Sequence, residues 1–125
     1  MTFNWSQYLT LAKELIGQSP SPASEEAKRR SAISRAYYAA FISARNYLQE
    51  REGYSIPKTV DAHKYVREQF KQSADPVRQD IGRKLEMLRK DRNQSDYKNT
   101  VSELLRKSKI AVKRSQQVIS KLSNL

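Results

Sequence analysis

Apolar residues recur every three or four positions along most of the chain, a spacing that predicts helices. Trp5, Tyr8, Leu9, Ala12, Leu15 and Ile16 outline a first helix over residues 3–17, closed by Gly17. The following Gln18-Ser-Pro-Ser-Pro reads as a loop, because each proline disfavours helix in the residue before it. Ser21 or Ser24 can cap a long second helix to about Glu52, with Glu25 and Glu26 at the positive end of its dipole. Its apolar stripe is Ile33, Ala36, Tyr37, Ala40, Phe41, Ala44, Tyr47 and Leu48, and the small alanines let a neighbouring helix come close. Gly53 ends it.

After Tyr54-Ser-Ile-Pro, a weaker helix is predicted over residues 58–72, burying Val60, Tyr65, Val66 and Phe70. Asp75 followed by Pro76 starts a fourth, a capping side chain and then proline at the first helical position. That helix carries Val77, Ile81, Leu85 and Leu88, and its next same-face position is Arg92. A polar turn of Asn93, Gln94, Ser95 and Asp96 is predicted to follow, and then Tyr97. Thr100 and Glu103 have capping-box spacing, so the last helix is predicted to begin near Thr100. Its seam is Val101, Leu105, Ser108, Val112, Ser115, Ile119 and Leu122, a heptad-like pattern suited to a bundle or a second chain. Five helices and no strands make an all-α fold, an up-and-down bundle of four to five helices.

The 125 residues suffice for one domain, 1–125, with one core. The absence of cysteine removes disulfides, Cys-ligated zinc and thiol nucleophiles, and fits a reducing compartment. No run approaches the roughly 18 apolar residues of a membrane span, and the N-terminus lacks the regions of a signal peptide. The expectation is a cytoplasmic protein with no membrane role. Charge sharpens this picture: residues 1–75 carry 11 Lys/Arg against 8 Asp/Glu, whereas residues 76–125 carry 13 against 5. A basic half suits a polyanion such as RNA or a nucleotide phosphate, although lysine also serves plain solubility.

Arg92 is the leading candidate residue, because an arginine on an inward face is costly unless it meets a partner or a ligand. Its five donors suit a phosphate, Asn93 adds an orienting amide, and Tyr97 adds a phenol that can stack or donate. The structural alternative is that Arg92 bonds helix C-terminal carbonyls and pairs with Asp96 or Asp91. Within Ser34-Arg-Ala-Tyr-Tyr-Ala-Ala-Phe, Tyr37 belongs to the core, while Arg35 and Tyr38 lie off the stripe, facing solvent, a second subunit or a shared cleft. His63, the single histidine, cannot build a metal site alone, and Asp61 is poorly placed to orient it as a base. The cations Arg106, Lys107, Lys109, Lys113 and Arg114 spread over several faces of the last helix. No Gly-rich phosphate loop, paired-carboxylate signature or Ser/His/Asp set is present, and nothing calls for a metal or a cofactor.

Two blocks, Ser34-Arg-Ala-Tyr-Tyr-Ala-Ala-Phe and Leu88-Arg-Lys-Asp-Arg-Asn-Gln-Ser-Asp-Tyr, make the chain resemble the HEPN superfamily, in particular its small stand-alone prokaryotic members. The resemblance implies a helical bundle that dimerises. In active members, paired Arg-Asn…His motifs meet across a dimer cleft and cut RNA without metal. It also implies a partner, since many such toxins accompany a minimal nucleotidyltransferase as antitoxin. Carried over, the motif arginine is Arg92, its polar neighbour is Asn93, and the histidine position holds Tyr97. A phenol titrating near its ordinary pKa of about 10 is a poor proton carrier at neutral pH, where imidazole is effective. The tyrosine that receives adenylate in the toxin branch falls on Asn99. The expectation is therefore a dimer that binds RNA, a nucleotide or a partner protein through Arg92, Asn93, Asp96, Tyr97, Arg35 and Tyr38, without efficient cleavage. The alternatives are an endoribonuclease toxin using Arg92 with Tyr97 or His63, and a structural adaptor whose charge is only solubility.

Overall fold

A computed structural model describes residues 3–17 and 24–125. Among these residues lie five helices and no strand: α1 (Gln7–Gly17), α2 (Glu25–Arg51), α3 (Asp61–Lys71), α4 (Pro76–Tyr97) and α5 (Leu104–Ser123). The predicted loop at 18–22 and the candidate cap Ser21 fall outside the described residues. No helix among them is long and apolar enough to cross a membrane.

Helix α2 is the centre of the bundle and packs against the other four. Ser24 caps it, its hydroxyl accepting from the Ala27 N–H at 3.1 Å, and Gly53 ends it at φ 73°, a conformation glycine adopts without a Cβ penalty. Ala32, Ala36, Ala39, Ala40 and Ala44 are all fully buried along it. Chain direction follows from the contacts between helix ends. Arg30 near the start of α2 reaches the end of α4, and Glu52 just after α2 meets Arg78 at the start of α4, so these two helices are antiparallel. The segment after Gly53 then retraces α2. His63 consequently lies against Tyr37 and Phe41, Phe70 lies against Tyr47, and α3 runs in the same direction as α2. Helices α3 and α4 come together most closely at Gly82, where a Cβ would stand 2.6 Å from the Lys71 backbone nitrogen.

Several local expectations differ. Helix α1 starts at Gln7, because Asn4 holds residues 4–6 in a turn, its Oδ1 accepting from the Ser6 N–H at 3.1 Å. Val60 precedes α3 and is 84% exposed, and Val77, in the first turn of α4, is also exposed. The polar stretch Asn93–Asp96 is not a turn: α4 continues through it to Tyr97. The Thr100–Glu103 capping box does not form. Glu103 sits at φ 53° without a side-chain cap, and α5 begins only at Leu104. Of the predicted seam, Ser108, Val112, Ser115 and Leu122 are buried and Val101 and Ile119 pack partly buried against the core, whereas Leu105 is exposed and Leu104, Ala111 and Val118 are buried beside them.

Candidate functional site

The continuation of α4 to Tyr97 builds the site, because it sets Asp96 one helical turn beyond Arg92. The Arg92 side chain, 17% exposed, lies with Nε 2.8 Å from Asp96 Oδ2, an ion pair whose N–H is out of line for a hydrogen bond. Its Nη2 donates to the Tyr38 hydroxyl at 2.8 Å and its Nη1 to Asn93 Oδ1 at 3.2 Å. The guanidinium carbon stands 5.2 Å from the Tyr38 ring centroid and 5.6 Å from that of Tyr97, within cation–π range. Arg35 adds a second guanidinium, 5.9 Å from the Tyr38 ring and 5.1 Å from Tyr8. The structure thus brings Arg92, Asn93, Asp96 and Tyr97 together with Arg35 and Tyr38, and Tyr38 is the hub. Tyr97 is 73% exposed, so one of its ring faces is open to solvent.

The alternative role for Arg92 divides in two. Its pairing with Asp96 is present. Bonding to carbonyls at the end of α4 belongs instead to Arg30, which donates to the Ser95 oxygen in the last turn at 2.9 Å and to the Lys98 and Asn99 oxygens just beyond it at 2.6 and 3.1 Å. Arg30 therefore satisfies the helix end and leaves Arg92 turned toward the aromatic cluster.

His63 is the residue whose place the sequence did not reveal. Its orienting partner is Tyr37, not Asp61: the Tyr37 hydroxyl and His63 Nδ1 share a hydrogen bond. Phe41 stacks on the imidazole at 4.2 Å, and Tyr38 meets it edge-on at 6.3 Å. Burial pushes the His63 pKa down to about 4, helped by the charges of Arg89, Arg92 and Arg67. Burial likewise raises the Tyr37 hydroxyl well above its ordinary value. Both groups are neutral at pH 7, so neither supplies a negative charge to the cations around it. Helical spacing alone hints at this set, since Arg67 lies four residues beyond His63 and Arg89 three before Arg92. Arg67 and Arg89 are partly buried and have no ion-pair or hydrogen-bond partner among the described residues. On the basic run of α5, Arg114 pairs with Asp91 at 3.5 Å and Arg106 with Glu103 at 2.7 Å. Lys107, Lys109 and Lys113 form no ion pair among the described residues, but they lie exposed or half-buried on α5 rather than beside the buried Tyr37–His63 pair.

Chemically, the α3–α4 face offers excess guanidinium charge, an exposed aromatic ring and a neutral imidazole. Among the described residues no group of three or more His, Asp or Glu side chains could hold a metal ion. Guanidinium groups of this kind match phosphate oxygens in shape and charge.

A family model described as HEPN domain matches residues 18–125. The chain is 32% identical over 114 residues to an uncharacterized protein of Methanocaldococcus jannaschii, covering 80% of this chain and 63% of that protein. It thus spans less than two thirds of that relative's length. No solved structure matches the chain.

Proposed function

The chain belongs to the HEPN domain family, and from that premise we propose that it is a homodimer that binds RNA or a nucleotide phosphate through the Arg92 cluster, without efficient RNA cleavage. An RNA- or nucleotide-related function is a property of the family. The finer reading rests on one observation: Arg67 and Arg89 stand partly buried beside a neutral histidine and a neutral tyrosine, with no carboxylate paired to them. Leaving such charge uncompensated costs free energy that a bound phosphate recovers. Arg92, held by Tyr38 and Asp96, grips the phosphate, and Asn93 steers it. The open ring of Tyr97 stacks on a base, and Arg35 keeps Tyr38 in place. The same reading treats residues 1–125 as one cytoplasmic domain and leaves room for a minimal nucleotidyltransferase as partner.

Cleavage is disfavoured because Tyr97 replaces the motif histidine, and because a His63 titrating near 4 is a weak base at neutral pH. One observation supports an endoribonuclease reading: His63 borders Tyr38, which Arg92 holds. RNA degradation in EDTA that is abolished by both Arg92→Ala and His63→Gln would establish that reading instead.

The binding reading is tested with a labelled single-stranded oligoribonucleotide and fluorescence anisotropy, beside light scattering for mass. Arg92→Ala is expected to weaken binding at least about ten-fold, the scale of one charge-assisted contact. A monomer whose RNA affinity is indifferent to Arg92 would overturn it.

A further inference from the structure

Between the middle of α2 and the segment returning to α3 lies a cavity of about 520 Å³ that none of the Arg92-cluster residues lines. Its volume falls in the range of small-molecule sites, roughly 300–1,000 Å³. One wall is apolar and ring-bearing, made by Phe41, Ile56, Pro57 and His63, with the Phe41 and His63 rings stacked 18° from parallel. The lining also carries Arg45, one helical turn beyond Phe41 on α2, and Lys58, next to Pro57. Among the described residues Arg45 bonds only the neutral amide oxygen of Asn46, at 3.2 and 3.3 Å, and Lys58 has no partner. No carboxylate lines this cavity. Helix α3 begins beside it, but Asp61 in its first turn offsets the helix dipole and the Thr59 hydroxyl accepts from the Asp61 N–H at 3.3 Å, so the positive charge here is that of the two cations.

The other cavities lack this combination. The cavity of about 530 Å³ beside Trp5 includes Glu50, the one beside Tyr65 includes Asp61 and Glu68, and the one beside Met87 includes Glu86 bonded to Lys71. Two cations without counter-charges next to an apolar, aromatic wall match a ligand that is anionic at one end and flat and apolar at the other.

The geometry points to a second ligand site here that takes a nucleoside monophosphate, its phosphate on Arg45 and Lys58 and its base against Phe41, His63 and Ile56. His63 is its built-in reporter. The Tyr37 hydrogen bond fixes one ring nitrogen, and the imidazole forms part of the wall. Because Tyr38 touches both His63 and Arg92, the two sites share a neighbour without sharing a ligand contact.

As the chain has a single histidine, the NMR signals of its imidazole C–H protons are unambiguous, and variants of each site tell a ligand at this wall from one at the neighbouring Arg92 cluster. Titration of the full chain with AMP at pH 7 is expected to move both signals saturably. Adenosine and inorganic phosphate are each expected to bind at least ten-fold more weakly. Arg45→Gln and Lys58→Gln are each expected to weaken AMP about ten-fold with unchanged circular dichroism, while Arg83→Gln, an exposed cation outside both sites, alters the apparent Kd less than two-fold. Unmoved His63 signals would overturn the proposal. So would a response lost in Arg92→Ala but intact in Arg45→Gln and Lys58→Gln, or phosphate binding as tightly as AMP. Binding of RNA at the Arg92 cluster is read separately by anisotropy, so either site can fail without the other.

Discussion

The two ends of α4 carry similar cations and treat them differently. Near its start, Arg78 bonds Glu52 at 2.7 Å, and Asp80 accepts from Lys84 at 2.5 Å and from Lys121 of α5. Those bonds hold the Asp80 carboxyl down to about 2. Near its end, Arg92 shares Asp96 with an aromatic cluster and Asp91 pairs with Arg114, but Arg89 forms no ion pair and Arg67 only acts at longer range on Glu86, which Lys71 already bonds. The beginning of α4 is a closed set of charges that fastens helices together, whereas its end is an open set. Net charge does not distinguish the two, but pairing does, and an unpaired cation beside buried neutral groups marks a place for an anion.

Breaking the seam that holds the open end in place gives the largest effect. Gly82→Ala would drive a Cβ against the Lys71 backbone, so a loss of about 3 kcal/mol is expected in chemical denaturation, with the His63 signals moving because α3 is displaced. A denaturation curve matching the parent would show that the α3–α4 contact is looser than described.

Acid separates the two ends next. His63 has a folded pKa of about 4, below its ordinary 6.5, so its contribution is complete above pH 6.5 and is lost as pH falls toward 4. About 2 kcal/mol is expected to disappear over that window, and His63→Gln should remove the dependence. Asp80 has a folded pKa of about 2, below its ordinary 3.8, so its contribution holds above about pH 4 and is lost as pH falls toward 2. Asp80→Asn is therefore expected to cost about 1 kcal/mol at pH 7 and to flatten only the lower window in thermal melts. If one variant erased both windows, the ends would not be independent. The smallest effect belongs to Arg83, 58% exposed and 3.4 Å from Asp80: Arg83→Gln is expected to change stability by less than about 0.5 kcal/mol.

How much of this was legible in the sequence depended on distance along the chain. Helices α2 and α4 could be read because Ser24 and Asp75-Pro76 are strong local start signals. The start of α5 could not, because Ser108, Val112, Ser115 and Leu122 are buried in either register, and spacing alone does not choose between Leu104 and Leu105. The polar run Asn93–Asp96 looked like a turn, yet α4 continues through it, and Arg30, more than sixty positions away, donates to the Ser95 carbonyl in its last turn. Arg92, Asp96 and Tyr97 form a local set that helical spacing reveals. Their meeting with Arg35 and Tyr38 depends on how α2 packs on α4. The Tyr37–His63 pair was hidden, because it requires the segment after Gly53 to double back and set α3 parallel to α2.

The most direct test of the central claim, that pairing rather than net charge decides where an anion binds, is the salt dependence of RNA affinity in two variants that each remove one positive charge. Arg89→Gln takes it from the open end and Arg83→Gln from the closed end. Each phosphate contact adds close to one unit of slope to log affinity against log salt, about 0.7 for a single strand. The expected result is that Arg89→Gln weakens binding about ten-fold and lowers the slope by about 0.7, while Arg83→Gln leaves both unchanged. Equal losses in the two variants would contradict the account, because the chain would then attract RNA only through its overall charge.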